Sequence, residues 1–324
     1  MRSPAAHHIG LEANALLAYS RSHPERSPTA DFRGRMLKPS YALFQTHARH
    51  VIECNRLADL RVQGRAHTIA ANGRGLTVET DRGLLHARRV VLAIGRTAVR
   101  RPGWAEGIPH VFDADFKRDD QSPWVHAVGF GGGITAAQLA LALARQRPGQ
   151  VTLLSRRRLR VSEFDASSCW VGPACRKQLA RTPDFDARRH IVNQARHSGT
   201  VSPVVATAVR QAHERRELIH KVGEVALRQD DTLHLYDGRT LQADRVILAT
   251  GFSARRPGGR WLSQVIDSLG LPTAACGYPV VDWGLHWGKG IHVSGPLAEL
   301  ELGPAAPNIA GARLAAQRLH GSLS

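Results

Sequence analysis

Residues that could bind the phosphates of a nucleotide lie in the middle of the chain. Gly131, Gly132 and Gly133 are followed by Thr135 and Ala136, which gives the pattern G-x-G-x-x-A. In such a pattern the first glycine makes a tight turn and the second lets the backbone approach a diphosphate, while a small third residue lets helix and strand pack closely. The N-terminus of the following helix then attracts the anion. The pattern therefore predicts a dinucleotide site.

A group of arginines indicates which dinucleotide is bound. An NAD site usually places Asp or Glu at the end of the second strand, where it accepts a hydrogen bond from the ribose 2′-OH. Here Ser155 takes that place, and Arg156, Arg157 and Arg158 follow it. A guanidinium can hold a 2′-phosphate through charge-assisted hydrogen bonds, each worth roughly 1.5–3 kcal/mol. We therefore predict NADP(H); the alternative is a solvated basic loop in an arginine-rich protein.

The sequence around these residues supplies the elements that must position them. Residues 124–130 form a mostly apolar run, as expected of a buried parallel strand. Residues 137–147 are strong helix formers and end at Pro148-Gly149, and a second apolar run covers 151–155. Together they predict a β-α-β unit, the alternative being a glycine-rich turn in an ordinary α/β domain.

Composition limits the classes of protein to consider. The 324 residues suit about two domains, and the formal net charge is +17. Only five of the 44 basic residues are lysine, and the basic residues are scattered along the chain, so we predict no specific nucleic-acid binding. No metal-binding pattern occurs, no apolar segment approaches the ~20 residues needed to span a membrane, and no secretory signal opens the chain.

The cysteines predict the redox compartment. Cys54, Cys169, Cys175 and Cys276 show neither C-x-x-C spacing nor a disulfide framework. We therefore expect reduced thiols in a cytoplasmic protein, the alternative being a redox pair of Cys169 and Cys175, which are six residues apart.

Two stretches of the chain resemble each other. Residues 87–95 and 243–251 each form an apolar run that ends in glycine, at Gly95 and Gly251. Each run follows short alternating segments separated by Asn-Gly or Asp-Gly turns. Each half is thus predicted to be a β-meander that leads into a buried strand. Near the C-terminus, residues 309–320 are predicted to form a helix with prolines at its start.

These motifs resemble those of the two-dinucleotide flavoprotein oxidoreductases, in particular NADPH-dependent flavin monooxygenases such as the lysine and ornithine N-monooxygenases. Residues 131–136 and the pair Ser155-Arg156 are similar to the NADPH-binding motif of that family. Residues 244–252, ending in Gly251-Phe252, match its D-x-x-x-L-A-T-G-aromatic motif. Residues 303–308 resemble the entry of its flavin-side helix.

The resemblance implies an α/β fold of the Rossmann-like FAD/NAD(P)-binding type, with parallel sheets and β-meanders. An NADP-binding domain, residues 119–243, would be inserted into an incomplete FAD-binding-like domain made of residues 1–118 and 244–324. NADPH would pass a hydride to FAD, and the reduced flavin would use O₂ to oxygenate a small-molecule substrate. The residues implied to line the flavin are Gly95, Gly251, Phe252, Gly303, Pro304 and Asn308.

Two departures from the family pattern leave other functions open. The chain has no G-x-G-x-x-G for the ADP half of FAD, which argues against flavin binding. Asp113 stands where the monooxygenases carry a histidine. The alternatives are a flavin reductase that oxygenates nothing and a truncated, non-catalytic NADPH-binding module. We predict neither a catalytic residue nor an oligomeric state.

Overall fold

The computed structural model describes residues 2–23, 31–34, 36–117, 120 and 122–323. Strands and helices both occur throughout the described part of the chain, and two long runs of consecutive strands lie between the helices. The described strands are β1 (Phe32–Arg33), β2 (Lys38–Pro39), β3 (Ala66–Ala71), β4 (Leu76–Thr80), β5 (Gly83–Ala87), β6 (Val90–Leu92), β7 (Ala127–Phe130), β8 (Val151–Ser155), β9 (Arg160–Val161), β10 (Thr200–Val201), β11 (Ile219–Val222), β12 (Val225–Gln229), β13 (Thr232–Leu235), β14 (Thr240–Gln242), β15 (Arg245–Leu248), β16 (His286–Gly288) and β17 (Ile291–Val293).

The described α-helices are numbered separately in chain order. They are α1 (Ala15–Arg21), α2 (Tyr41–Cys54), α3 (Ile134–Gln146), α4 (Pro173–Ala180), α5 (Phe185–Ala195), α6 (Pro203–Glu214), α7 (Gly259–Leu269), α8 (Glu299–Leu302) and α9 (Ile309–Leu323). Among the described residues, no helix is both long enough and apolar enough to cross a membrane.

The chain groups into two compact units. The first unit comprises Met1–Thr97, Ala166–Arg196 and Arg255–Ser324, and the second comprises Ala98–Asp165 and His197–Ala254. The division into an NADP-binding domain of residues 119–243 and a surrounding flavin-type domain remains a prediction. Its boundary at residues 118 and 119 lies outside the described residues.

A parallel sheet forms the centre of the second unit. Its strand order is β11-β8-β7-β15, and all neighbouring pairs are parallel. All residues of β7 and β8 are buried, which explains why both sequences are almost continuously apolar. Helix α3 packs its small side chains on this sheet, with Ala136, Ala137 and Ala140 in the same core. The predicted β-α-β unit is confirmed.

The predicted β-meanders are confirmed, but only the second leads into a buried strand, because β15 is mostly buried whereas Val91 in β6 is exposed. Strands β12-β13-β14 form an antiparallel sheet in the second unit and lead into β15. In the first unit, β3-β4-β5 form the corresponding antiparallel sheet and lead into β6. Strand β6 is parallel to β17, which in turn pairs with β16 in the antiparallel sense. The core of the first unit is built from the inner faces of these strands and from helices α7 and α9.

The structure corrects one expectation from the sequence and adds two strands. The cysteines are not all free thiols, because Cys169 and Cys175 form a disulfide. A 3₁₀ turn at Ser168–Trp170 and the start of α4 bring their Cα atoms to 5.4 Å, within the range for disulfides. Residues 174–222 contain two short strands, β10 and β11, that the sequence analysis did not predict. These strands were missed because they are only two and four residues long.

Candidate dinucleotide-binding site

The turn after β7 can be made only by glycine. Gly131 has a φ of +153°, and a Cβ atom there would lie 2.4 Å from the carbonyl oxygen of Ala249 and 3.0 Å from Cβ of Ala136. The chain therefore passes between the end of β15 and the first turn of α3 without room for a side chain. This is the tight turn, with a small residue at Ala136, that the spacing predicts.

The N-terminus of α3 is left open by the chain. Gly133 is its N-cap residue, and no side chain caps the helix. Cβ atoms placed on Gly132 and Gly133 would make only ordinary contacts, at 3.7 Å from Cβ of Ser155 and from Cα of Gly199. The fold therefore does not require these two glycines as it requires Gly131. Glycine at these positions leaves bare backbone beside a helix N-terminus, which is the arrangement that binds a diphosphate.

Thr135 lies in the first turn of α3 and is half-buried. Its hydroxyl has no hydrogen-bond partner among the described residues. It is available for the phosphate contact predicted from the sequence.

The arginines after β8 lie on the same side of the unit as this turn. Arg156, Arg157 and Arg158 are all exposed, and within the described residues their guanidinium groups form no hydrogen bond or ion pair. Nη2 of Arg157 lies 3.7 Å from the position that a Cβ on Gly199 would occupy. Three unpaired positive charges thus stand next to Ser155, at the end of the second strand, where a 2′-phosphate is expected.

Ser155 itself is fully buried and has two partners. Its Oγ donates to the carbonyl oxygen of Arg157 at 2.8 Å and lies 2.9 Å from Nε2 of His220. Burial, together with the nearby His213, lowers the pKa of His220. Ser155 therefore shapes the loop that carries the arginines and has no carboxylate to repel a phosphate.

Sequence reasoning missed two residues of this site, Gly199 and His220. They lie 44 and 65 residues beyond Ser155, outside the glycine and arginine motifs. Gly199 has a φ of +65° and adjoins both Gly133 and Arg157. A strand ending in His-Lys-Val before Gly223 was the available signal for His220, but its four residues are too few for a periodic pattern.

Asp244, which opens the D-x-x-x-L-A-T-G motif, has a structural role. Its carboxylate accepts hydrogen bonds from the backbone N–H groups of Val125 and His126, both at 2.7 Å. Burial opposes ionisation, but these two hydrogen bonds outweigh it and lower the pKa of Asp244. The aspartate thereby joins the start of β15 to the start of β7.

The end of that motif forms an antiparallel pairing in the second unit. Gly251 has a φ of +79°, and its carbonyl oxygen accepts from the N–H of Arg100 at 2.8 Å. Phe252 is paired with Val99 and stacks on Phe112, with ring centroids 4.9 Å apart. Apart from its chain neighbours, no described residue has an atom within 4 Å of a Cβ built on Gly251, so its side-chain position is open.

The other residues implied to line a flavin lie in the first unit. Gly95 has a φ of +64° and open space where its side chain would be. A Cβ on Gly303, in contrast, would lie 2.6 Å from the ring of Trp170, and Pro304 is buried. Oδ1 of Asn308 accepts from the N–H of Gly311 at 2.9 Å and so caps α9. Trp170 therefore fills the side-chain position of Gly303, and the side chain of Asn308 is already used as a helix cap.

The described residues do not supply the diphosphate cradle that FAD needs. The parallel strands of the first unit, β6 and β17, are not followed by a glycine turn that leads into an open helix N-terminus like that of α3. The N-terminus of α9 is not open, because the side chain of Asn308 caps it. The carbonyl oxygen of Ala305 also lies close to its first turn, 2.1 Å from where a Cβ on Gly311 would be. Within the described residues, the turn after β7 and the arginines after β8 have the chemistry that NADP(H) would need, whereas the residues expected to line a flavin do not form a corresponding cradle for FAD.

Asp113, which the sequence comparison sets where flavin monooxygenases are expected to carry a histidine, also has a structural role. Its carboxylate accepts from the N–H of His110 at 2.7 Å and from Nη2 of Arg101 at 2.6 Å. These hydrogen bonds, the one from Arg101 foremost, lower the pKa of Asp113. Among the described residues, no group of three or more His, Cys, Asp or Glu is placed to hold a metal ion.

Comparison with known proteins defines the class of fold. The sequence matches no protein-family model and no curated protein. The structure has the fold of flavoproteins with Rossmann-type FAD- and NAD(P)-binding domains. The expected fold class is confirmed.

Within that class, the chain is similar to amine N-monooxygenases. It is 15% identical to an ornithine N-hydroxylase of Kutzneria sp. 744, with a TM-score of 0.73 over 100% of this chain and 86% of that one. It is 17% identical to an L-lysine 6-monooxygenase of Pseudomonas syringae, with a TM-score of 0.71 over 99% and 86%. It is 16% identical to an ornithine hydroxylase of Pseudomonas aeruginosa, with a TM-score of 0.71 over 89% and 76%.

Proposed function

We propose that this chain binds NADP(H) and acts in an oxidoreductase of the flavin-monooxygenase type on a small-molecule substrate. The observation that carries the proposal is the joint geometry of the second unit. Strands β7 and β8 are parallel neighbours, and their C-terminal ends therefore lie at the same edge of the sheet. This edge carries the glycine turn, the uncapped N-terminus of α3 and the unpaired arginines after β8. The fold shared with NADPH-dependent N-hydroxylases supports it.

Each group of residues would have a defined task. The backbone at Gly132 and Gly133 and the N-terminus of α3 would hold the diphosphate, with Thr135 as an additional donor. Arg156, with Arg157 and Arg158, would bind the 2′-phosphate. The bound nicotinamide supplies hydride chemistry, whereas the residues of this chain bind and orient the nucleotide.

Flavin binding does not follow from the residues of the first unit. The open side-chain position at Gly95 leaves room for a ligand after β6, but Trp170 fills the space at Gly303 and Asn308 is used as a helix cap. We derive no reaction step through a flavin. These two contacts favour the second candidate function, an NADPH-binding module without turnover. A cytoplasmic location remains a prediction.

A spectrum of the purified protein with an NADPH-oxidation assay tests the proposal. Yellow protein that consumes O₂ with NADPH supports a monooxygenase-type oxidoreductase. Yellow protein that reduces other electron acceptors, without oxygenating a product, supports a reductase. Colourless protein that still binds NADPH supports the binding module, and protein that binds no nicotinamide nucleotide contradicts the proposal.

A further inference from the structure

A chain of two hydrogen bonds links a histidine in β11 to the arginine loop after β8. Strands β11 and β8 are parallel, with His220 opposite Leu153 and Val222 opposite Ser155. Because side chains alternate between the faces of a strand, Leu153 and Ser155 lie on the same face of β8. His220 shares that face, and its Nε2 reaches Oγ of Ser155 at 2.9 Å.

The direction of these hydrogen bonds is fixed by counting protons. A serine hydroxyl has one proton to donate. Oγ of Ser155 donates it to the carbonyl oxygen of Arg157 at 2.8 Å, because a carbonyl can only accept. Oγ must therefore accept from His220, whose proton lies on Nε2. The two hydrogen bonds therefore run from His220 to Ser155 and from Ser155 to the backbone of Arg157.

These two hydrogen bonds hold the start of the loop that carries Arg156, Arg157 and Arg158. The backbone of Ser155 is fixed by the sheet, since its carbonyl oxygen accepts from the N–H of Gly223 at 3.0 Å. Beyond it, the exposed guanidinium groups of Arg156, Arg157 and Arg158 form no hydrogen bond or ion pair with any residue that the structure describes. The hydrogen bond from Oγ of Ser155 to the carbonyl oxygen of Arg157 therefore fixes the path of the loop.

We infer that His220 is a positioning residue that sets the preference for NADPH over NADH, by orienting Ser155 and thereby the arginine loop. The inference rests on the proposed binding of NADP(H). Preordering the loop reduces the entropy lost when the arginines close on a 2′-phosphate. NADH carries no such phosphate, so its affinity does not depend on the loop. His220 itself touches neither the reacting atoms nor the phosphate.

The test compares the dissociation constants of NADPH and NADH for wild type and H220A by calorimetry. We expect H220A to bind NADPH about tenfold more weakly, the effect of one lost hydrogen bond, and NADH unchanged. H220Q should restore most of the preference, because its side-chain amide can donate to Oγ of Ser155. Circular dichroism and the melting temperature verify that each variant is folded.

His126 provides a matched control in the same sheet. It is also half-buried, and its Nε2 lies 3.0 Å from Oγ1 of Thr152, near the opposite end of the strands. H126A should keep the wild-type ratio of affinities. An unchanged ratio in folded H220A, or an equal loss of both nucleotides, would overturn the inference while the proposed function stands. Wild-type protein that binds neither nucleotide would instead overturn the proposed function.

Discussion

At the scale of single residues, the glycines of the β7–α3 turn serve two different purposes. Gly131 is required by the fold, because a Cβ there would lie 2.4 Å from a backbone carbonyl oxygen. Gly133 has an extended backbone that any residue can adopt, and a Cβ there meets nothing closer than 3.7 Å. Substitutions at these two positions should therefore affect different properties, folding stability at Gly131 and nucleotide binding at Gly133.

Substitution by alanine should show this difference. We expect G131A to lower the free energy of unfolding by about 2–4 kcal/mol, through steric overlap and backbone strain. G133A should fold with nearly wild-type stability but lose NADPH binding, since its methyl group occupies the diphosphate side of the turn. Urea unfolding and calorimetry measure the two effects. Retention of tight NADPH binding by G133A would contradict the proposed site.

Arg156 should act on the phosphorylated nucleotide alone. Reversing its charge in R156E places a carboxylate where the 2′-phosphate is expected, so NADPH binding should weaken at least tenfold. NADH binding should stay within about twofold, because charges beyond the ribose affect it little. R215E, at an exposed arginine elsewhere in the same unit, is the control. An equal effect of R156E on both nucleotides would show that Arg156 does not read the 2′-phosphate.

At the scale of secondary structure, a buried carboxylate joins several segments of the first unit. Glu299, in α8, is fully buried and contacts three arginines: Arg189 at 3.0 Å, Arg196 at 2.6 Å, and Arg96. These arginines come from helix α5, from its C-cap and from the segment after β6. The ion pairs therefore hold residues 166–196 in the unit to which they belong.

Removing this carboxylate should destabilise the protein strongly. E299Q keeps the shape of the side chain but leaves buried guanidinium groups without their counter-ion, which typically costs about 3–5 kcal/mol. Urea unfolding measures the loss. E217Q removes the exposed partner of Arg215 and should leave stability nearly unchanged. Wild-type stability of E299Q would mean that the cluster does not hold the segment.

The packing of α1 and α2 should make stability depend on pH. Burial, with His8 and His50 nearby, lowers the pKa of His47 in α2 to about 4. Its pKa in the unfolded chain is near 6.5, so between these values the unfolded state binds more protons. Stability should therefore fall as the pH falls from 6.5 to 4, by roughly 1.4 kcal/mol per pH unit from this residue.

Unfolding of the H47Q variant over that pH range measures the contribution. The slope should become smaller than in wild type, although burial of His8 lowers its pKa as well and leaves part of the effect. H67Q, at an exposed histidine, should keep the wild-type slope. Parallel slopes for H47Q and wild type would mean that His47 is protonated equally in both states.

At the scale of the whole molecule, sequence patterns predicted the parts that depend on local chemistry. The glycine spacing, the alanine-rich helix and the turn residues of the meanders carry their own signals, and each of these elements was found. Gly199 and His220 could not be predicted, because they reach the site only through the pairing of β10 with β9 and of β11 with β8. The contact of Trp170 with Gly303 could not be predicted either, since it joins residues more than a hundred positions apart.

The second unit contains the proposed NADP(H) site, on which the proposed function depends. Calorimetry of the wild-type protein at low salt with NADPH and with NADH tests it most directly. We predict saturable binding of NADPH that is at least tenfold tighter than that of NADH, because the arginines after β8 bind the 2′-phosphate. Equal affinities for the two nucleotides, or no heat with either of them, would contradict the proposed NADP(H) site.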